Sequence, residues 1–252
     1  MDWQNIKEQL QSFLKTELDK TGLKNVTVGV SGGLDSAVVA ILCKETFGDN
    51  MSAVLMPSQF SSKSSIDDAK ELCEKFDIKY EIKSIAPMVE AYIENMDEDK
   101  LRIGNFSARM RMSVLYDTSS RDKSIVVGTS NKSELLLGYG TIFGDIACAI
   151  NPIGQIYKSD EFDFARVLGV PESILNKKPS ADLWEGQSDE EELGYSYKEM
   201  DTVLKLLVEE NKSKEEVIAL GHDEILIDRL IYRMNSNAFK GKLPVIANIK
   251  WS

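Results

Sequence analysis

The stretch VTVGVSGGLDSAVVAILCKETFG, residues 26 to 48, decides the fold. VTVGV (26 to 30) is β-branched and bounded by turn formers, whereas DSAVVAILCKETFG (35 to 48) repeats its apolar residues at helical spacing. The residues between them therefore form a strand-to-helix turn. Such a turn aims free backbone N–H groups and the positive end of a helix dipole at one point, which suits an anion, most often a phosphate.

What the turn lacks narrows the chemistry. A Walker A loop counted from Gly29 needs glycine and lysine where Leu34 and Asp35 stand. The dinucleotide fingerprint G-x-G-x-x-G fails because Ser31 occupies its second glycine position. What remains, Ser31-Gly32-Gly33-Leu34-Asp35-Ser36, is a nest of amides with hydroxyls at both ends and a carboxylate that would repel bare phosphate. A carboxylate there makes sense if Mg²⁺ lies between it and the phosphates. The plain alternative is a glycine turn in which Ser31 or Asp35 only caps the helix.

Outward from this turn, elements alternate. The pattern predicts helix 2–20, strand 25–30, helix 35–47, strand 51–56, helix 65–76, strand 78–83, helices 86–96 and 102–118, and strand 123–128. Such alternation predicts an α/β fold, a parallel twisted sheet with helices on both faces, whose ligands bind beyond the carboxyl ends of the strands. SGGLDS, PSQFSSKSS and TSNKSE, placed after the first, second and fourth strands, should then converge. From about residue 159 the chain becomes mainly helical, with Gly169 and Pro171 marking a stop and restart and Ser213 to Glu216 a capping box.

Composition removes several function classes. The 252 residues are 42% hydrophobic, enough for one full core, and the net charge of −11 argues against a nucleic-acid backbone as principal partner while permitting a local basic pocket. No apolar run approaches the roughly 18 residues of a membrane span, and residues 1–20 form an amphipathic pattern charged throughout; the expectation is a soluble cytoplasmic protein with no membrane partner. Cys43, Cys73 and Cys148 show no C-x-x-C spacing and are expected as small buried residues.

The fourth strand end repeats the logic of the first. In GTSNKSELLLGYG (128 to 140), Thr129 stands just beyond the strand and Glu134 about one helical turn on. Ser130 or Asn131 would cap that helix and Glu134 would be its favourable first-turn acid. Glu134 should also share a sheet edge with Asp35, and paired carboxylates at a phosphate site suit octahedral Mg²⁺. In GDIACAINPIGQIYK (144 to 158), Asp145 lies among apolar residues that would partly shield it from water, and Lys158 starts a helix. Asp145 is either an acid–base group or a turn aspartate satisfying local amides. KPSADLWEGQSDEEELG (178 to 194), with four consecutive acids, is either a solvated loop or a mobile lid.

With these pieces placed, SGGLDS resembles the pyrophosphate-binding loop of the N-type ATP pyrophosphatases. GTSNKSE, GYGTIFGD, NPIGQIYK, KPSADLW and NAFKGKLP, in this order and spacing, resemble the NAD synthetases over nearly the whole chain. The resemblance implies an adenine nucleotide alpha-hydrolase-like fold in a single domain, 1–252. It implies a homodimeric ligase forming a C–N bond, in which ATP and Mg²⁺ adenylate deamido-NAD and ammonia then displaces AMP to give NAD. It gives the ATP phosphates to Gly29, Val30, Ser31, Gly32, Gly33, Leu34, Asp35 and Ser36, and further ATP contacts to Thr129, Lys158 and Ser180. Asp35 and Glu134 match metal ligands, and Asp145 an ammonia-site carboxylate that with Lys158 forms the catalytic pair. Arg109, reaching across a dimer interface, and Lys240 match contacts to deamido-NAD. Ile142, Ala149 and Phe239 depart from the lysine, aspartate and histidine common in bacterial members.

A glutamine-using version would need a further domain with an activated nucleophile, and the synthetase pattern occupies the chain, so free ammonia is expected. His222, the single histidine, precedes Asp223 at a helix start and is expected at the surface. Dimerisation is expected from helix 102–118, whose Met110, Met112, Val114 and Leu115 are read as an exposed apolar surface. The rival readings are an adenylating tRNA-modifying enzyme on the same scaffold, opposed by the acidic charge, and a non-catalytic adenine-nucleotide module, which would have little use for Asp35 and Glu134 together.

Overall fold

The computed structural model describes residues 1–94, 99–180, 184, 186–242 and 244–249. Four parallel strands, β1 (Asn25–Gly29), β2 (Met51–Leu55), β3 (Lys79–Ile82) and β4 (Ser124–Val127), lie in the order β3-β2-β1-β4. Val28 of β1 pairs with Ala53 on one side and Val127 on the other. The order reverses between β1 and β4, so a crevice opens at their carboxyl ends, where ligands of such sheets bind.

The elements match the expected pattern. Before and within the sheet come α1 (Trp3–Asp19), α2 (Leu34–Phe47), α3 (Lys63–Lys75), α4 (Ala86–Ile93) and α5 (Lys100–Asp122). The chain then becomes helical through α6 (Lys132–Leu137), α7 (Lys158–Val167), α8 (Glu172–Leu175), α9 (Asp189–Leu193), α10 (Tyr197–Leu204), α11 (Lys214–Ala219) and α12 (Glu224–Asn237). The last two positions of the expected helix 86–96 lie outside the described residues. Helix α5 starts two residues earlier than expected and runs four further, capped by Asp99 and closed by left-handed Lys123.

Helix α2 is apolar all round because it is central. Val38, Val39, Ile41 and Leu42 are wholly buried between the sheet, α1 and α7, each contributing about 1.5–3 kcal/mol relative to exposure. Helices α4 and α5 cover the opposite face through a cluster of Val54, Met56, Ile85 and Val89. Met110, Val114 and Leu115 pack against that cluster and Met112 lines the crevice, so the four are half-buried within the chain, contrary to the expectation of an exposed stripe. The exposed apolar side chains of these helices are instead Met88, Tyr92, Leu101 and Tyr116. The C-terminal helices have their own core, which takes in Leu137 of α6 and Tyr157 just before α7. Cys43 and Cys73 are buried thiols and Cys148 is half-buried.

Candidate active site

A cavity of about 600 Å³ opens at the β1/β4 crevice, within the size range of small-molecule sites. Gly29 to Ser31 and Gly33 to Ser36, Pro57 and Ser61, and Gly128 to Ser130 line it, so the three expected strand-end segments do converge. Gly32 turns the loop: its φ is +82°, and a Cβ there would collide with the Ser65 carbonyl at the start of α3. Ser31 and Ser36 close the loop on itself. The Ser36 hydroxyl accepts from the Ser31 amide at 3.2 Å, and the Ser31 hydroxyl accepts from the Gly33 amide at 3.2 Å. Gly33, the residue before α2, makes no side-chain cap, so the first turn of that helix opens onto the cavity.

Asn131 joins the two strand ends, a role its sequence position revealed only as a cap. It caps α6 by accepting from the Glu134 amide at 3.0 Å, while Glu134 accepts from the Asn131 amide at 3.1 Å. Its side-chain nitrogen also donates to Asp35 Oδ1 at 2.7 Å. Both carboxylates thus accept from Asn131, Asp35 from its side chain and Glu134 from its backbone, and both are on the cavity wall.

Lys158 completes the group. Tyr157 gives α7 no side-chain cap; instead the Ser133 hydroxyl accepts from the Lys158 amide at 3.0 Å and Asp201 from the Ser159 amide at 2.8 Å. With its backbone so fixed, the Lys158 ammonium reaches Asp35 Oδ2, its side chain only 3% exposed. Glu161, one turn on and fully buried, places Oε2 3.4 Å from the same ammonium. Burial works to raise Asp35, but the Lys158 charge and hydrogen bonds hold it below its ordinary value. Burial and the Asp35 charge push Glu134 well up, and the same two influences push up Glu161. Burial opposes the Lys158 charge, yet Asp35, Glu161 and Glu134 raise that lysine.

The remaining expected residues divide. Thr129, Ser180, Asp145 and Lys240 line the cavity. Asp145 is exposed into it, not shielded by its apolar neighbours, and Oδ1 accepts from the Thr141 amide at 2.8 Å. Enclosure within the cleft raises its carboxyl, against that amide bond. Lys240 donates to the carbonyls of Gly138 and Gly140 at 2.8 and 3.1 Å. Arg109 is not on the cavity wall of its own chain; its Nε donates to the Ile142 carbonyl at 3.3 Å. Ile142, Ala149 and Phe239 also lie off that wall.

Within 178–194, residues 181–183 and 185 lie outside the described residues. The acidic run beyond them is a short helix rather than a loop: Asp189 starts α9 and is 5% exposed, while Glu191 and Glu192 are exposed to solvent. Asp189 accepts from the hydroxyls of Tyr139 and Tyr197 at 3.1 and 3.4 Å, and burial raises its pKa to about 6. Neither it nor Glu161 carried a sequence signal, since acids at a helix start look like dipole partners. Arg111, Lys158, Lys177, Lys178, Arg233 and Lys240 share the cavity wall with Asp35, Glu134, Asp145, Asp189 and Glu192, so this part of an acidic protein is close to charge-balanced.

The donor set fits a divalent cation of the Mg²⁺ kind. Two carboxylates flank Asn131, and the described residues contain no group of three or more Asp, Glu, His or Cys arranged to hold a metal. Mg²⁺ characteristically takes one or two carboxylates and fills its remaining positions with phosphate oxygens and water.

Comparison with known proteins places the chain in one family. The family model described as NAD synthase matches residues 6–244. An NH3-dependent NAD synthetase from Wolinella succinogenes is 51% identical over 243 residues, 96% of this chain and 95% of that one. The solved NH3-dependent NAD synthetase from Campylobacter jejuni superposes with a TM-score of 0.85 at 42% identity, covering 98% of this chain and 100% of the other. The NMN synthetase of Francisella tularensis gives 0.88 at 32% identity, covering 99% and 100%. With the phosphate loop, the paired carboxylates and the buried lysine in one crevice, and a match along nearly its whole length, the chain belongs to the NAD synthase family.

Proposed function

We infer that this enzyme amidates deamido-NAD with ammonia at the expense of ATP, and we propose how its residues divide the work. The nicotinate carboxylate attacks the α-phosphorus of ATP, the α–β bridge breaks, and pyrophosphate leaves. Ammonia then adds to the acyl carbon of the adenylate, AMP departs, and the amide of NAD remains after loss of one proton. The observation that carries this reading is the meeting of Asp35, Asn131, Glu134 and Lys158, from separate segments, beside the uncapped α2 turn.

Residues 29–36 hold the ATP phosphates through backbone amides and the α2 dipole, with Thr129, Lys158 and Ser180 as further contacts. Asp35 and Glu134 hold Mg²⁺, which supplies neutralisation of charge on the departing pyrophosphate. Lys158 presents a charge that stays protonated at neutral pH. Asp145 draws ammonium by charge and takes a proton from it, leaving the lone pair free. Lys240 and Arg109 bind deamido-NAD. Arg109 serves the partner's site in a homodimer, a reading supported by its absence from its own cavity wall and by exposed Leu101 and Tyr116 on the same helix. The chain works on free ammonia, a reading supported by its NH3-dependent relatives; no helix among the described residues is long and apolar enough to cross a membrane.

The test is stoichiometric release of AMP and pyrophosphate from ATP with deamido-NAD and ammonium. Parallel reactions use tRNA, the mononucleotide analogue of deamido-NAD, or no acceptor. Release driven by tRNA, or nucleotide binding without turnover, would overturn the reading; preference for the mononucleotide would move the substrate. Sedimentation at micromolar concentration checks the dimer, and a monomer would remove Arg109 from the site.

A further inference from the structure

Glu161 is a buried carboxylate beside the site, in contact with Lys158, to which no task has been given. It is 0% exposed, and neither of its oxygens receives a hydrogen bond. A buried carboxyl in that condition costs free energy that an apolar side chain would not. Yet it stands at the fourth position of α7, on the face it shares with Lys158 one turn earlier, behind the ammonium and away from the cavity wall that Lys158 itself lines. Its Oε2 is within ion-pair reach of Nζ at 3.4 Å, although the ammonium is turned toward Asp35.

The arrangement has a difficulty built into it. Asp35 is committed to Lys158 and Asn131 as the structure stands, and the proposed reaction asks Asp35 to serve a cation and Lys158 to serve phosphate. A buried ammonium with Asp35 as its only carboxyl neighbour would resist that exchange, because releasing the pair strands a desolvated charge.

We propose that Glu161 is a positioning residue that gives Lys158 a second anchor behind the cavity, so that Asp35 can be released when ATP and its cation bind. It touches neither substrate; its carboxyl faces Lys158 and Asp35 alike, and it acts on nucleotide through that pair. This rests on the reading of Lys158 as an ATP contact. It predicts a loss confined to nucleotide binding, with no loss of fold: in Glu161→Leu the ammonium keeps Asp35 as its carboxylate within ion-pair reach and feels Glu134 only at longer range, whereas Glu161→Gln keeps an oxygen at the same reach.

The experiment is calorimetric titration of the full chain with ATP in the presence of Mg²⁺, in the absence of deamido-NAD and ammonium, so that binding is read without turnover. Thermal melting and the KM for ammonium are recorded for the same variants. Glu161→Leu is expected to weaken ATP binding about tenfold or more, within the range of coupling between members of one buried charge network. Its melting temperature should be equal to or above wild type, and its KM for ammonium unchanged, while Glu161→Gln recovers most of the affinity. A Glu161→Leu variant that binds ATP as wild type does, one that melts lower and loses ammonium and ATP alike, or a Glu161→Gln variant as weak as the leucine would each overturn the proposal. Lys158→Met separates the two levels: if it also binds ATP normally, the assignment of Lys158 fails, and if it alone weakens binding, only the role of Glu161 fails.

Discussion

Replacing Asp35 by asparagine strains the site in a way whose size can be worked from its geometry. Asparagine keeps the oxygen that accepts from Asn131 at 2.7 Å, but turns an NH2 group toward the Lys158 ammonium. The Lys158 side chain is 3% exposed, so its charge is largely desolvated. Breaking a buried pair from one side costs about 3–5 kcal/mol, of which Glu161 can restore part. At about 2–4 °C per kcal/mol for a chain of this size, the melting midpoint should fall by roughly 6–20 °C. Adding Lys158→Met removes the stranded charge, so the double variant should be more stable than the sum of the single effects by about 1–3 kcal/mol. Adenylation, followed by exchange of labelled pyrophosphate into ATP, should drop by at least about a hundred- to a thousandfold, the usual loss for one electrostatic stabiliser of the transition state. Calorimetric melting of the four proteins and the exchange assay measure both. An Asp35→Asn protein melting within a degree or two of wild type, with additive single effects, would refute the claim that this pair is structural as well as chemical.

Glu134→Gln removes a carboxyl that burial and Asp35 already disfavour as an anion, so exchange should fall by several powers of ten while the melting midpoint holds or rises; near-normal turnover at low Mg²⁺ would remove Glu134 from the metal site. Asp145→Asn preserves an acceptor for the Thr141 amide, so deamido-NAD-dependent exchange should stay nearly intact while NAD formation drops about a hundredfold or more and the ammonium requirement rises. A parallel fall of both activities would place Asp145 in the first step or in the fold. Asp189, raised from 3.8 to about 6 by burial, binds a proton in the folded state before the unfolded one as pH falls. Its ionisation therefore costs stability above pH 6, and that cost is relieved progressively between about pH 6 and 3.8. Asp189→Asn should stabilise by up to about 3 kcal/mol at pH 7 and by nothing near pH 4; a gain independent of pH in denaturant melts would contradict this.

The sheet and the phosphate loop were legible because β1 and α2 change periodicity within nine residues, and because glycine at 32 and a carboxylate at 35 have few other uses at a strand end. Thr129, Glu134 and Lys158 could be placed because parallel strands deliver the segments beyond their carboxyl ends to one edge. Asn131 was visible as a cap, but its second bond to Asp35 depends on β4 docking beside β1, which no local pattern encodes. Glu161 and Asp189 were hidden for a different reason: charge in a sequence predicts exposure, and both are buried by elements far away along the chain. The apolar side chains of α5 misled in the opposite direction, since the Val54, Met56, Ile85 and Val89 cluster that covers them comes from β2 and α4.

The strand order has a consequence for how the protein is made. Residues 1–82 contain three of the four strands and the whole of the phosphate loop, yet the far wall of the crevice begins only at β4 and continues through α7 as far as Lys240. During synthesis the emerging N-terminal portion can collapse around α2 but has no closed nucleotide pocket, because Asn131 and Lys158 have not yet left the ribosome. Nucleotide therefore cannot template the early stages of folding. Its stabilising effect falls on the last contacts to form, those that clamp β4, α6 and α7 to the preformed sheet, and it is the opening of this clamp, more than the melting of the sheet, that bound ATP would slow.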